Sequence, residues 1–216
     1  MKSVYQRCLT VSSFLFALFV VPLTAQAETA YEQGVHYDLI EPAIRVGASN
    51  EVIVTEFFWY GCGHCYSFEP MLRTWSESLP EGAALKESPA IWNDLMGLHA
   101  RAFYTAEILG VHDLMHPLIF KAMHVERKRL GSEDQVRDLF IENGIDGADF
   151  DKAFNSFGVS SQVRQADARA RAAKISGTPS VMVNGKYLIS TNKAGSQSGM
   201  LDIARYLVDQ ELAALQ

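Results

Sequence analysis

The sequence predicts an α/β domain whose sheet is interrupted by a block of helices. Three observations predict it. A β-branched and aromatic run, Glu51 to Tyr60 (EVIVTEFFWY), leads straight into a helical pattern. From Asn93 to about Ala166 the periodicity is helical throughout. Beyond it, β character returns around an Asn184-Gly185 turn.

Taken in order, Gly34 to Ile40 (GVHYDLI) alternates as a short strand, and a turn region follows around Pro42 and Gly47 to Asn50. Residues 51–60 are dense enough in apolar side chains to be a buried strand. Cys65, Phe68, Leu72, Trp75 and Leu79 then recur at steps of three or four, a helix from about 63 to 78 with one apolar face. Leu79-Pro80-Glu81-Gly82 breaks it, and Ala83 to Ser88 is a weaker strand. In the helical block, Leu95 to Leu109 keep helical spacing up to Gly110. A second helix carries Leu114, Leu118 and Ala122, with Pro117 near its first turn. Ser132-x-x-Gln135 is a capping box ahead of Val136, Leu139 and Phe140. Phe150 to Phe157 and Val163 to Ala173 mark two more helices. Residues 180–183 and 186–189 form a hairpin, and Met200, Ala204, Leu207 and Leu212 line a last helix.

The first 27 residues read as a targeting segment. Lys2 and Arg7 precede an apolar stretch, Leu9 to Val21, and Ala25-Gln26-Ala27 offers a cleavage site before Glu28. Export places the protein in an oxidising compartment. Cleavage removes Cys8, so of three cysteines only Cys62 and Cys65 remain. It also removes two of 19 basic residues and none of 25 acidic ones, leaving 189 residues with a net charge of −8. No basic run appears, which argues against a nucleic-acid partner.

A bridge between Cys62 and Cys65 closes a minimal loop and removes little chain entropy, so its value is chemical rather than structural. Cys62-Gly63-His64-Cys65 also sits at the strand-to-helix junction. The first cysteine therefore meets unpaired backbone N–H groups and the positive end of a helix dipole, which favour a thiolate.

Phe58-Trp59-Tyr60-Gly61 before Cys62-Gly63-His64-Cys65, the helical insertion, and Gly177-Thr178-Pro179 ahead of a hairpin resemble the DsbA family of periplasmic thiol:disulfide interchange proteins. Leu79-Pro80-Glu81-Gly82, Asn155-Ser156-Phe157 and Val183-Asn184-Gly185-Lys186-Tyr187 extend the likeness over the mature chain. The resemblance implies a thioredoxin fold with an inserted all-helical domain: signal peptide 1–27, thioredoxin-like parts at 28–92 and 167–216, and the insertion at 93–166. It departs from the best-known members at Gly63, where they carry Pro, and at Thr178, often Val there. Cys-Gly-His-Cys is the motif typical of protein disulfide isomerases.

By that resemblance the chain is a dithiol oxidase that donates its disulfide to unfolded exported proteins. Cys62 is the exposed nucleophile and Cys65 its shielded partner. Gly63 and His64 tune the thiolate, His64 through its imidazole. Thr178 and a cis Pro179 bind extended substrate, and Glu56 is a buried acid relaying protons for Cys65; its charge partner is left open, Lys86 aligning only loosely. Trp59, Tyr60 and Phe68 could line an apolar surface for unfolded chains. The expected potential lies between the roughly −120 mV of the family's founding member and the roughly −180 mV of protein disulfide isomerase. A quinone-linked membrane oxidase of the DsbB type reoxidises it, and a monomer is expected. The alternative is a periplasmic isomerase or reductase.

Metal and cofactor chemistry find little support in the sequence. Cys62, His64 and Cys65 lack a second cysteine pair to complete a structural zinc site. His36, His99, His112, His116 and His124 read as scattered. Haem attachment would need a histidine where Tyr66 follows Cys65. The expectation is no metal, and no cofactor beyond the Cys62-Cys65 disulfide.

Overall fold

The computed structural model describes residues 30–47 and 50–215; the targeting segment and Cys8 lie outside them. Among the described residues, five strands form one sheet in the order β1-β5-β4-β2-β3. These are β1 (Asp38–Leu39), β2 (Val52–Phe58), β3 (Ala83–Pro89), β4 (Ser180–Val183) and β5 (Tyr187–Ser190). β2 runs parallel to β3 and antiparallel to β4, and the remaining pairs are antiparallel. All seven residues of β2 are buried, because helices cover both faces of the sheet.

The strand pleat sorts β2 between two cores. Val52 and Val54 face Phe68 and Leu72 of α1 (Gly63–Glu77) and Met200, Ala204 and Leu207 of the C-terminal helix (Gln197–Ala213). Phe57 packs on the opposite side with Met182, Met96, Ala170 and Ala173. Glu56 shares the parity of Val54 and Phe58, so its carboxyl lies on the face that α1 covers.

Five helices separate β3 from β4: α2 (Asp94–Ile108), α3 (His112–His124), α4 (Glu133–Glu142), α5 (Gly147–Phe154) and α6 (Phe157–Ala172). Asn93, Ser132, Asp146 and Ser156 each cap a following helix by accepting a backbone N–H. Their aromatic core, including Phe103, Phe120, Phe140, Phe150 and Phe154, is continuous with Phe58, Tyr60 and Cys65. The helical block is thus packed directly behind the cysteine motif. Residue 166 falls inside α6, whose Ala170 joins the core against β4.

Several elements differ from the sequence reading. The first strand shrinks to two residues because Gly34, at φ +83, turns the chain, its N–H donating to the Tyr37 carbonyl. Pro117 lies in the interior of α3, beyond its first turn. Gln135 reaches back to the Gly131 N–H rather than to that of Ser132, so the capping box closes one residue early. A short helix, α7 (Thr191–Ala194), precedes the last one, α8 (Gln197–Ala213), and ends at Gly195 with φ +75. Asn184 and Gly185 both have positive φ, and the Lys186 N–H closes the turn on the Val183 carbonyl. None of the helices among the described residues is long and apolar enough to cross a membrane.

Candidate active site

Cys62 is the N-cap residue of α1, with extended backbone angles (φ −87, ψ 113) and no side-chain cap. The backbone N–H groups of the first helical turn are therefore free to meet its sulfur. Cys62 is half-buried and Cys65 is buried; both are free thiols. Cys65 lies on the face of α1 that also buries Phe68 and Leu72.

The Cys62 thiol is lowered from 9.0 to about 5. The largest cause is a hydrogen bond from the Cys65 thiol. Partial burial works against the charge, while the Thr178 side chain and the backbone N–H groups of Cys65 and His64 favour it. Thr178 meets the sulfur in two ways. Its carbonyl oxygen, 3.3 Å away, accepts from the protonated thiol, and its side chain serves the anion. Cys65 moves in the opposite direction: burial raises its pKa, and donation to Cys62 and the nearby Glu56 raise it further. The pair is therefore strongly asymmetric, with charge held on the outer sulfur.

The Thr178-Pro179 bond is cis, and both residues line a cleft with His64, Ser190, Asn192 and Gln197. The His64 imidazole is exposed, where water screens it; what His64 brings to the sulfur is its backbone N–H. Its carbonyl accepts from Gln197 Nε2 at 2.6 Å, tying the start of α1 to that of α8. Gly63 is the first helical residue, and a side-chain carbon there would meet nothing within 4 Å. This is the position where Pro fits a helix best, so a Gly-to-Pro difference in the motif is sterically free.

Glu56 is 1% exposed. Burial raises its pKa well above the usual carboxylate range, and the nearby Glu87 and Glu69 add to this. Lys86 is not its partner. Lys86 pairs in register with Thr55, whereas Glu56 stands opposite Glu87, so Lys86 belongs to the other face of the sheet. The compensating cation is His116, whose Nε2 lies 3.1 Å from Glu87 and 3.3 Å from Glu69. Burial alone would depress its pKa, but the two carboxylates outweigh that and raise it to about 10. The same contacts outweigh burial at Glu87 and hold that acid well below its ordinary range. Tyr60 completes the group, its hydroxyl 2.8 Å from His116 Nδ1.

Glu69, Glu87 and His116 are absent from the sequence-derived site, and Tyr60 entered it only as a substrate-surface residue. The available signals were the His112-x-x-x-His116 spacing and the one-residue alternation in β3. Tyr60 and Phe68 are also buried rather than part of a substrate surface. Trp59 is half-buried, its Nε1–H donating to His99 Nδ1. The exposed aromatic beside the motif is Tyr66, stacked on His124 at 4.8 Å.

Comparison with known proteins gives a consistent result. The family model of the DSBA-like thioredoxin domain matches residues 81–198. The thiol:disulfide interchange protein DsbA of Azotobacter vinelandii is 35% identical over 96% of this chain and 99% of that protein. Its counterpart in Pseudomonas aeruginosa is 34% identical over 96% of this chain and 98% of its own. The crystal structure of Pseudomonas aeruginosa DsbA superposes with a TM-score of 0.81 at 35% identity, covering 85% of this chain and 96% of the other.

Proposed function

Because this chain belongs to the DsbA family, and is by that membership a thiol:disulfide oxidoreductase of thioredoxin-like fold, we propose that Cys62 and Cys65 are its redox-active pair. The observation that carries the reading is the asymmetry of the two thiols: one lowered to about 5, the other raised by burial. A thiol that is a good anion is also a good leaving group, so a bond made to it prefers to be broken.

In the oxidised form, a substrate thiolate attacks Cys62 Sγ and expels Cys65, forming a mixed disulfide. Cys65 cannot persist as an anion in its buried setting and takes up a proton, for which Glu56 is the relay. A second substrate thiolate then attacks the substrate sulfur and expels Cys62 as a thiolate. The substrate gains a disulfide, and two electrons remain on the cysteine pair. Thr178 and Pro179 receive the extended substrate beside Cys62, with pairing to the Thr178 backbone in the manner of an added strand. Gly63 leaves the sulfur's approach open, and His64 contributes through its amide.

The protein works in the periplasm on exported chains, after cleavage behind Ala27, as a monomer. Its own disulfide is the redox group, and a DsbB-type quinone-linked membrane oxidase restores it. Oxidation of a reduced, unfolded model protein tests the reading. The oxidised wild type accelerates disulfide formation and C62S does not; C65S, with no disulfide of its own to donate, is also inactive but traps a mixed disulfide through Cys62 when offered a substrate that already carries a disulfide. Full activity in C62S would overturn it.

A further inference from the structure

Behind the cysteine pair, α3 and β3 bring together three side chains of metal-ligating type that do not touch the reacting sulfurs. His112 and His116 are one helical turn apart on α3, with ring centroids 4.9 Å apart. Their Nε2 atoms lie 3.2 and 3.1 Å from Oε2 and Oε1 of Glu87, one nitrogen to each oxygen. The three ligand atoms all fall within 4.8 Å of one another.

The other ring nitrogens are already engaged. His116 Nδ1 is 2.8 Å from the Tyr60 hydroxyl, and His112 Nδ1 is 3.3 Å from Asp113 Oδ1. Outer partners of this kind orient histidines that ligate metals. The two Nε2 atoms, by contrast, are buried and lack a well-directed hydrogen bond, although both face a carboxylate. The His116 side chain is 1% exposed, so Glu87 and Glu69 face its Nε2 in place of bulk solvent. A tetrahedral zinc ion with ligands at about 2.0–2.1 Å has ligand-to-ligand edges of about 3.3–3.4 Å. The two nitrogen-to-oxygen separations, 3.2 and 3.1 Å, are close to that edge.

We propose that His112, His116 and Glu87 form a binding site for a divalent transition-metal ion of the zinc class. The His112 side of the site opens on a cavity of about 460 Å³ lined also by Thr55, Tyr104 and Glu107, which supplies water for a fourth position. Glu69 stands close by, 3.3 Å from His116 Nε2, and adds negative charge that a dication offsets. Binding displaces the Nε2 protons and leaves the Nδ1 contacts in place. The sequence treated these histidines as scattered and expected no metal; helical spacing and strand register bring them together.

The test uses the oxidised full-length protein, in which neither cysteine offers a thiolate, and Co²⁺ and Zn²⁺ as probes. The expected result is one equivalent of Co²⁺ with the visible absorption of a low-coordinate site, displaced by Zn²⁺. H112A and E87Q should each weaken uptake at least about tenfold, as loss of one of three ligands requires. His112 is 23% exposed at the cavity, so its truncation leaves the core intact. Absence of saturable one-to-one uptake by the wild type would overturn the proposal whatever the variants do, and so would wild-type affinity in a folded H112A.

Discussion

Replacing Thr178 with valine separates the two contacts that this residue makes with Cys62. The carbonyl, 3.3 Å from the sulfur, is kept, and the hydroxyl that favours the thiolate is lost. A hydrogen bond to a charged group contributes about 1.5–3 kcal/mol. Cys62 is only half-buried, so water replaces part of it, and about 1.4 kcal/mol, or about one pKa unit, is the net loss. The Cys62 pKa then rises from about 5 to about 6. At pH 7 this costs the reduced form about 1.3 kcal/mol, and the couple becomes about 30 mV more reducing. Equilibration against glutathione buffers, with the two redox forms separated after acid quenching, measures the difference directly. An unchanged potential, or one that moves in the oxidising direction, would refute the role given to the Thr178 side chain.

Other consequences follow from the same contacts. H64A should move the Cys62 pKa less than T178V does, since the backbone N–H survives; thiol alkylation rates against pH compare the two. H116A removes the cation between Glu69 and Glu87 and should destabilise the fold by about 3–5 kcal/mol, a fall of about 10 °C in melting temperature. Because the folded-state pKa of His116 is raised to about 10, its contribution is complete below about pH 6.5 and is lost as pH rises toward 10. Thermal melts of the metal-free wild type across that range should show the decline, and H116A should lack it. The depressed Cys62 pKa works the other way: it stabilises the reduced protein above about pH 9 and loses that effect as pH falls through about 5. Subtracting oxidised from reduced melting temperatures cancels the His116 effect and, below about pH 9, where Cys65 stays protonated in both folded and unfolded chains, isolates this one.

What the sequence disclosed was local. The buried run of β2, the helix that starts beside Cys62, and the positive-φ turn at Asn184-Gly185 each rest on neighbouring residues. The thioredoxin topology came from resemblance, since no periodicity says which strands pair. The polar group under the site was hidden because it depends on register. One step along β3 exchanges Lys86 for Glu87 opposite Glu56, and only the parallel pairing of β2 with β3 decides between them. The approach of α3, which brings His116 to those acids, is likewise a matter of tertiary packing. Tyr60 and Phe68 looked available for substrate because nothing local shows that the helical block and α8 cover them.

All of this depends on Cys62 carrying its charge at neutral pH. Thiolate ultraviolet absorbance of the reduced protein, followed from acid to alkaline pH with the oxidised form as blank, reads that property without substrate or partner. The account predicts a single transition with its midpoint at about 5, and no second one for Cys65 within the range where the fold survives. A midpoint at about 8.5, the value of an ordinary thiol, would contradict it.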